Sequence, residues 1–291
     1  MKKALLFSSV ALFFLATFTS CYKQADDIYK PKCKIINVWD DEMAGTADEV
    51  FTYEDKELAK ITYSDDGSYL VITHNKNGTI SEIVAYESDG VATGESVTMT
   101  YDKTLIATMN FIDDGNVVQK YEFTHSDKKI SSIKVYVDGS FSKSKVAKSR
   151  LYKLCFGNPD QFGSLFDVIG SKSLAFSFEY ILTYTGDNLT NINVEEEYYD
   201  IHISMNQIME YDDMKNPYFG LTFKLANFLG YTENNITKMT TNTTYSGGYE
   251  ESDSEVINYS YQFNKFDFPT TITEEDHEGN ISSTFLEYDK K

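Results

Sequence analysis

Apolar and polar residues alternate along several runs of the chain, which is the pattern of a β-strand with one buried and one solvated face. In the run 176–184, Phe, Tyr and Leu side chains alternate with mostly polar ones. Runs 201–205 and 257–263 have the same period of two. No helical heptad extends through residues 35–290, so the pattern predicts an all-β, antiparallel body.

Dipeptides that tolerate positive φ angles separate these runs, and they favour tight hairpins. They are Asp66-Gly67, Asn77-Gly78, Asp89-Gly90, Asp114-Gly115, Asp138-Gly139 and Gly186-Asp187. Two of them lie in Asp-rich stretches, but the ligand spacing of an EF-hand calcium loop is missing. We therefore interpret them as structural turns.

A weak repeat follows the turns, in which an apolar residue, polar residues and a second apolar residue recur. Its copies begin at Ile80, Ile130, Leu189 and Ile236, which are 50, 59 and 47 residues apart. A repeat of this length indicates one multi-strand unit used several times. We expect a large antiparallel meander that forms a strongly curved sheet or a barrel.

Two stretches interrupt the strand pattern. The first, residues 144–172, predicts a long connection with a short helix around Gln161–Val168, and the second, residues 219–230, predicts a short helix or a loop plug. We treat residues 35–291 as a single all-β domain. Two subdomains that divide near 150–172 are the alternative.

The N-terminus has the features of a secretory signal over residues 1–20. Lys2 and Lys3 precede an apolar stretch, 4–18, which is short for a membrane span. The sequence Phe18-Thr19-Ser20-Cys21 resembles a bacterial lipobox, although Phe18 replaces the usual Leu. The resemblance implies that Cys21 is acylated; an ordinary secretory signal with an incidental cysteine is the alternative.

Residues 21–34 form the predicted tether between the lipid and the body. Its acidic pair, Asp26-Asp27, resembles the surface-export signals of Bacteroidetes-type lipoproteins. The lipobox implies an outer-membrane protein anchored by palmitate and other acyl chains, and the acidic pair favours the cell surface over the periplasmic face.

The charge of the chain restricts its partners. The formal net charge is −19, and it becomes −21 without residues 1–20, because 24 basic residues then face 45 acidic ones. The charge makes the chain a poor candidate for binding nucleic acid, since such binding needs basic patches. A body this acidic is also repelled by an anionic membrane, so the lipid has to hold it there.

The sequence offers no catalytic residues, metal site or cofactor motif. The four histidines, at 74, 125, 202 and 277, are never three or four residues apart, as a helical zinc pair would require. Acidic pairs are common, but a strongly acidic chain offers them by chance, so glycan hydrolysis by an Asp/Glu pair is the least favoured function. In an oxidising compartment Cys33 and Cys155 would be able to form a disulfide.

Tyrosines in polar surroundings are the best functional candidates. Tyr198 and Tyr199 precede an acidic residue, and Tyr245 and Tyr249 flank a Ser-Gly-Gly loop. Such rings stack on the apolar faces of sugars, and their hydroxyls add hydrogen bonds. The alternative is that these tyrosines pack on the sheet.

The second half of the chain carries a resemblance to a known family. Its elements are Lys215-Asn216-Pro217-Tyr218, where Phe is commoner than Tyr218, then 259–263, 268–272 and 285–288. Together they resemble Bacteroidales lipoproteins of a domain family of unknown function with a porin-like all-β fold, and more distantly Tyr-Asp repeat proteins. The resemblance implies a soluble porin-like barrel with one or two short helices in loops, and it implies no activity.

These observations predict a lipid-anchored envelope protein that binds an extracellular glycan or protein and is not an enzyme. Its expected partners are the outer-membrane lipid and one such ligand, with no cofactor and no nucleic acid. A structural envelope component without a soluble ligand is the alternative.

Overall fold

The computed structural model describes residues 28–29, 31, 33–40, 45–138, 149–156, 176–198, 201–247 and 250–289. Most of this chain forms sixteen antiparallel β-strands. In chain order they are β1 Ile35–Asp40, β2 Glu49–Glu54, β3 Glu57–Tyr63, β4 Tyr69–His74, β5 Ile80–Tyr86, β6 Ala92–Asp102, β7 Leu105–Asp113, β8 Asn116–Ser126, β9 Lys129–Val137, β10 Phe176–Thr185, β11 Asn188–Tyr198, β12 Ile201–Lys215, β13 Asn234–Gly247, β14 Glu251–Phe263, β15 Pro269–Glu275 and β16 Ile281–Tyr288.

Each strand pairs with its neighbours in sequence, and β1 pairs with β16 to close the barrel. The closing register places Ile35 opposite Tyr288 and Val38 opposite Leu286. The all-β meander and the porin-like barrel predicted from the sequence are therefore confirmed. Strands on both sides of residues 150–172 belong to the same closed sheet.

The meander gives the barrel two distinct ends. Odd-numbered strands run away from the end at which β1 begins, and even-numbered strands return to it. We call this the terminal end, because β1 starts and β16 finishes there. The opposite end, which carries the connections β1–β2, β3–β4, β5–β6 and so on to β15–β16, is the distal end.

Tight turns connect the strands, as the Gly-containing dipeptides predict. Gly67, Gly78, Gly90, Gly115 and Gly186 all have positive φ angles, whereas Gly139 lies outside the described residues. Two further hairpins use Asp-Lys pairs in the same conformation, with φ angles of 45° and 79° at Asp55-Lys56 and 52° and 66° at Asp127-Lys128. Without glycine, these two turns gave no signal in the sequence.

Two chain segments fill the barrel interior. One is the helix α1, Arg150–Phe156, which lies in the chain between β9 and β10, whose joined ends are distal. The other is the plug segment, residues 216–233, which joins β12 to β13 from the terminal end and contains a 3-10 helix, Ala226–Tyr231. The predicted plug at 219–230 is thus present. The helix at Arg150–Phe156 precedes the stretch Gln161–Val168, where the sequence predicts one. That stretch lies outside the described residues.

Contacts with distant strands place both segments inside the wall. Phe156 of α1 stacks on Tyr121 of β8 with ring centroids 4.9 Å apart. Phe228 of the plug segment meets Tyr180 of β10 edge-to-face at 5.5 Å, and Thr222 lies 3.4 Å from the Tyr101 hydroxyl of β6. The plug segment also contacts α1. A barrel of this strand number is too wide for wall side chains alone to fill, so these segments complete the core.

Within the described ranges, no helix is both long and apolar enough to span a membrane.

Candidate functional site

A groove of about 540 Å³ opens at the distal end of the barrel, between the wall and the start of α1. The residues that line it come from strands β3 to β6, their turns and residues 149–151. They are Tyr63, Asp66, Ser68, Tyr69, Leu70, Ala85, Tyr86, Glu87, Thr93, Glu95, Ser149, Arg150 and Leu151. Aromatic rings, hydroxyls, carboxylates and one guanidinium therefore share one concave surface.

Arg150 holds the start of α1 against the groove wall. Its guanidinium pairs with the carboxylates of Asp65 and, at 3.0 Å, Asp66, and it lies 4.6 Å from the centre of the Tyr63 ring. The hydrogen bond from Arg150 lowers the pKa of Asp65 below its usual value. The β3–β4 turn and the helix are thereby joined at the rim.

Ser149 adds a second link between the helix and the wall. Its hydroxyl accepts a hydrogen bond from the Tyr152 backbone N–H at 3.0 Å, as a helix N-cap does. The same hydroxyl donates to the Glu95 carboxylate of β6 at 2.8 Å. Because α1 is fixed twice, the groove has a preformed inner wall.

Two tyrosines form the aromatic part of the groove. Tyr69 and Tyr86 face each other across strands β4 and β5, with ring centroids 5.2 Å apart and an angle of 8° between the rings. The Lys60 ammonium lies 3.7 Å from the centre of the Tyr69 ring. A stacked and charge-capped pair of this kind presents a rigid apolar surface with hydroxyls at its edge.

Some polar atoms at the groove have no protein partner among the described residues. They are the hydroxyls of Tyr63 and Ser68. Tyr63 is only 8% exposed, so its hydroxyl is also shielded from bulk water. Burial raises the pKa of Tyr63, so its hydroxyl keeps its proton at neutral pH. Buried hydroxyls without partners are costly, and a ligand or water that bonds to them would relieve that cost.

The acid–base groups of the groove are the carboxylates of Asp66, Glu87 and Glu95. Across the described part of the chain, no three His, Cys, Asp or Glu side chains converge as a metal site requires. The groove residues include no His or Cys that would serve as a nucleophile or a base. Its chemistry suits recognition by hydrogen bonds and ring stacking.

Two of the tyrosines predicted from the sequence, Tyr198 and Tyr245, lie at the same end of the barrel but on another part of its wall. Tyr198 ends β11 and Tyr245 lies on β13, close to the distal hairpins of those strands, whereas the groove lies on β3 to β6. Tyr245 is half-buried. Tyr199, Tyr249, the side chain of Tyr198 and Cys21 lie outside the described residues.

The disulfide suggested for Cys33 and Cys155 is not formed in the structure. Both are buried free thiols, and burial raises the pKa of each. Cys33 precedes β1 at the terminal end, whereas Cys155 lies in the last turn of α1, between β9 and β10 in the chain. Each thiol occupies its own part of the core.

The sequence did not reveal the groove, because its residues are brought together from positions 63–95 and 149–151 by closure of the sheet. One signal was present. Arg150 is the only arginine in a chain whose other basic residues are all lysine. Arg is the side chain suited to paired carboxylates and aromatic faces, so its single use marks a special position.

Comparison with solved structures identifies a similar fold. A porin-like protein from Bacteroides uniformis ATCC 8492 is 10% identical, covers 91% of this chain over all of its own length, and has a TM-score of 0.50. A porin-like protein from Bacteroides vulgatus ATCC 8482 is also 10% identical and covers 89% of this chain, at a TM-score of 0.29. At this identity the likeness concerns the fold alone.

No protein-family model matches the sequence, and comparison with curated proteins gives no match.

Proposed function

We propose that this chain is a lipid-anchored cell-envelope protein that binds an extracellular glycan in the distal groove and does not catalyse a reaction. The observation that carries the proposal is the groove itself. It combines the stacked Tyr69 and Tyr86 rings with the unpartnered hydroxyls of Tyr63 and Ser68. It opens at the end of the barrel opposite to the start of β1.

The chemistry of the groove favours a neutral, hydroxyl-rich ligand. Carboxylates such as Glu87 accept hydrogen bonds from sugar hydroxyls, and tyrosine rings stack on sugar faces. The arginine is already paired with Asp65 and Asp66, so little positive charge remains for an anionic ligand. Polyanions are therefore disfavoured.

The outer wall of the barrel supports an anchor outside the sheet. Glu122, Lys134 and Glu179 stand side by side on β8, β9 and β10, within the wall. Charged residues at the midplane of a lipid-facing wall cost about 2–4 kcal/mol for each Lys or Arg. We propose that the barrel stands in water and that acyl chains on Cys21 hold it to the outer membrane, with the groove facing away from the cell.

Glycan-array binding by the full-length protein tests the ligand. Glu87→Gln replaces a charged acceptor with a weaker neutral one and Ser68→Ala removes a hydroxyl, and we expect each to weaken binding about tenfold. Glu251→Gln, also exposed at the distal end but on β14, is the control and leaves binding unchanged. No binding to any glycan, or binding only to basic peptides, would contradict the proposal.

Two further measurements test the anchor and its location. Cys21→Ala abolishes incorporation of labelled palmitate if the lipobox assignment is right, and unchanged labelling refutes it. Protease treatment of intact cells removes the barrel if it lies at the cell surface. A barrel that is cleaved only after the outer membrane is permeabilised lies in the periplasm instead.

A further inference from the structure

The two ends of the barrel differ in charge. At the terminal end, five hairpins carry an exposed lysine at the tip, namely Lys56, Lys76, Lys103, Lys128 and Lys265. The described distal tips carry no lysine, and exposed acidic residues such as Asp65, Asp89 and Glu278 occupy them. Among the described hairpin tips, the negative charge is therefore concentrated at the distal end.

Acidic residues also occur at the terminal end and offset its lysines. Asp55, Asp102, Asp127 and Asp267 lie in the same turns, so the charges of the terminal tips nearly balance, whereas the described distal tips are negative. An anionic surface repels the distal end more than the terminal end. Such a surface would favour an orientation of the barrel with its terminal end inward.

An exposed aromatic tip lies on the terminal end as well. Phe266, in the β14–β15 turn, is 46% exposed, and the Lys265 ammonium lies 4.9 Å from its ring centre. Phe263, at the end of β14, is also exposed. Aromatic rings beside lysine are the side chains that settle at the boundary between lipid headgroups and acyl chains.

The turn holds this tip firmly in position. The Asn264 side-chain oxygen accepts hydrogen bonds from the backbone N–H groups of Phe266 and Phe268, at 2.9 and 3.2 Å. Phe268 is buried in the core, where the Lys215 ammonium lies over its ring. The exposure of Phe266 is thus a property of an ordered turn.

We infer that the terminal end is a docking face for an anionic phospholipid surface, on which Phe266 and Phe263 enter the headgroup layer and the tip lysines contact lipid phosphates. This inference rests on the lipid anchor of the proposed function, since the chain enters β1 at this same end. It goes beyond the anchor because it fixes how the body stands on the membrane.

Fluorescence quenching by brominated lipid tests the docking face. Trp39, the only tryptophan, is replaced by Phe, and a reporter is introduced as Phe266→Trp or, as the matched control at a distal tip, Val91→Trp. Val91 is 61% exposed, so both reporters begin in water. The acylated full-length protein is then bound to phosphatidylglycerol vesicles with brominated acyl chains.

We expect the emission of the reporter at position 266 to be largely lost and that of the reporter at position 91 to stay unchanged. Changing Lys56, Lys103 and Lys128 together to Gln should reduce the loss, because the phosphate contacts are removed. Unreduced loss would overturn the role of the lysines. Protein that sediments with the vesicles without quenching at position 266, or with quenching at position 91, overturns the docking face and leaves the anchor standing. Protein that does not sediment with the vesicles overturns the anchor and the docking face together.

Discussion

At the scale of single residues, two glycines are needed for different reasons. Gly115 has a φ of +80° in the β7–β8 turn and has open space around it, whereas a methyl group on Gly230 would collide with the carbonyl oxygen of Leu221 inside the plug segment. A glycine in a left-handed turn and a glycine at a close backbone approach are both intolerant of a side chain. The costs of replacing them should differ.

We expect Gly115→Ala to lower the free energy of unfolding by about 1 kcal/mol, the cost of a strained φ angle. Gly230→Ala should lower it by about 3 kcal/mol, because the buried backbone cannot move away from the new methyl group. Urea denaturation followed by circular dichroism measures both values. Equal losses for the two variants would contradict the close approach inside the barrel.

Glu274 provides a prediction about pH. Burial raises the pKa of this β15 carboxyl, and the nearby Glu255 and Asp276 raise it further. A raised folded-state pKa means that the ionised form opposes folding, so this penalty is present at neutral pH and is relieved as the pH falls through the folded-state pKa. Glu274→Gln should therefore raise the melting temperature at pH 7, and the gain should shrink toward pH 4.

The matched control is Glu275→Gln, whose side chain is exposed on the same strand. We expect it to change the melting temperature little at either pH. A gain at pH 7 that is as large for Glu275→Gln as for Glu274→Gln would assign the effect to overall charge rather than to burial.

At the scale of elements, the plug segment depends on one side chain. The Asn216 amide donates to the backbone oxygens of Leu229 and Thr232, at 2.7 and 2.9 Å, and its oxygen accepts from the Tyr218 N–H at 2.9 Å. Asn216 is buried, so no water can take over its hydrogen bonds to these backbone groups if the side chain is removed. This one amide ties the two ends of the plug segment together.

Asn216→Ala should cost about 3 kcal/mol of stability, because it leaves several buried backbone groups unpaired. Hydrogen exchange should then speed up for amides of residues 217–232 more than for those of the wall. Asn264→Ala, which removes the cap of a turn closer to solvent, should cost about 1 kcal/mol. Uniform loss of protection over the whole barrel would contradict a locally held plug.

Elements were predictable from the sequence where their signal is local. Apolar and polar residues alternate with a period of two in strands such as β10 and β14, and the glycine of Asp114-Gly115 indicates a turn with a positive φ angle. The helix α1 gave no such signal. Its seven residues span only two turns, too few for a helical period to stand out, and five of them are buried. The groove that it borders likewise had no local pattern in the sequence.

At the scale of the whole molecule, closure of the barrel depends on contacts that no local pattern encodes. The β1–β16 pairing joins residues about 250 positions apart, such as Asn37 and Glu287, whose side chains hydrogen-bond at 2.8 Å. The sequence therefore left a curved sheet and a barrel as alternatives. The pairing of β1 with β16, at the two ends of the sheet, decides between a curved sheet and a barrel.

The closing strand offers a matched test of this seam. Leu286 of β16 is 2% exposed and lies opposite Val38, whereas Ile281 on the same strand is 68% exposed. Leu286→Ala should cost about 3 kcal/mol through the cavity that it leaves. Ile281→Ala should change stability by less than about 0.5 kcal/mol. Thermal unfolding of both variants measures the difference, and an equal loss would place the seam outside the cooperative core.

The position of β1 also determines how the protein would respond to mechanical load. This strand is bonded on both flanks, to β16 and to β2, and its first residue lies at the terminal end. A pull on the N-terminus against a ligand held at the far rim would run parallel to the strand. The ladder bonds would then be stretched together in shear instead of being unzipped one after another, so we expect the barrel to resist tension along its axis.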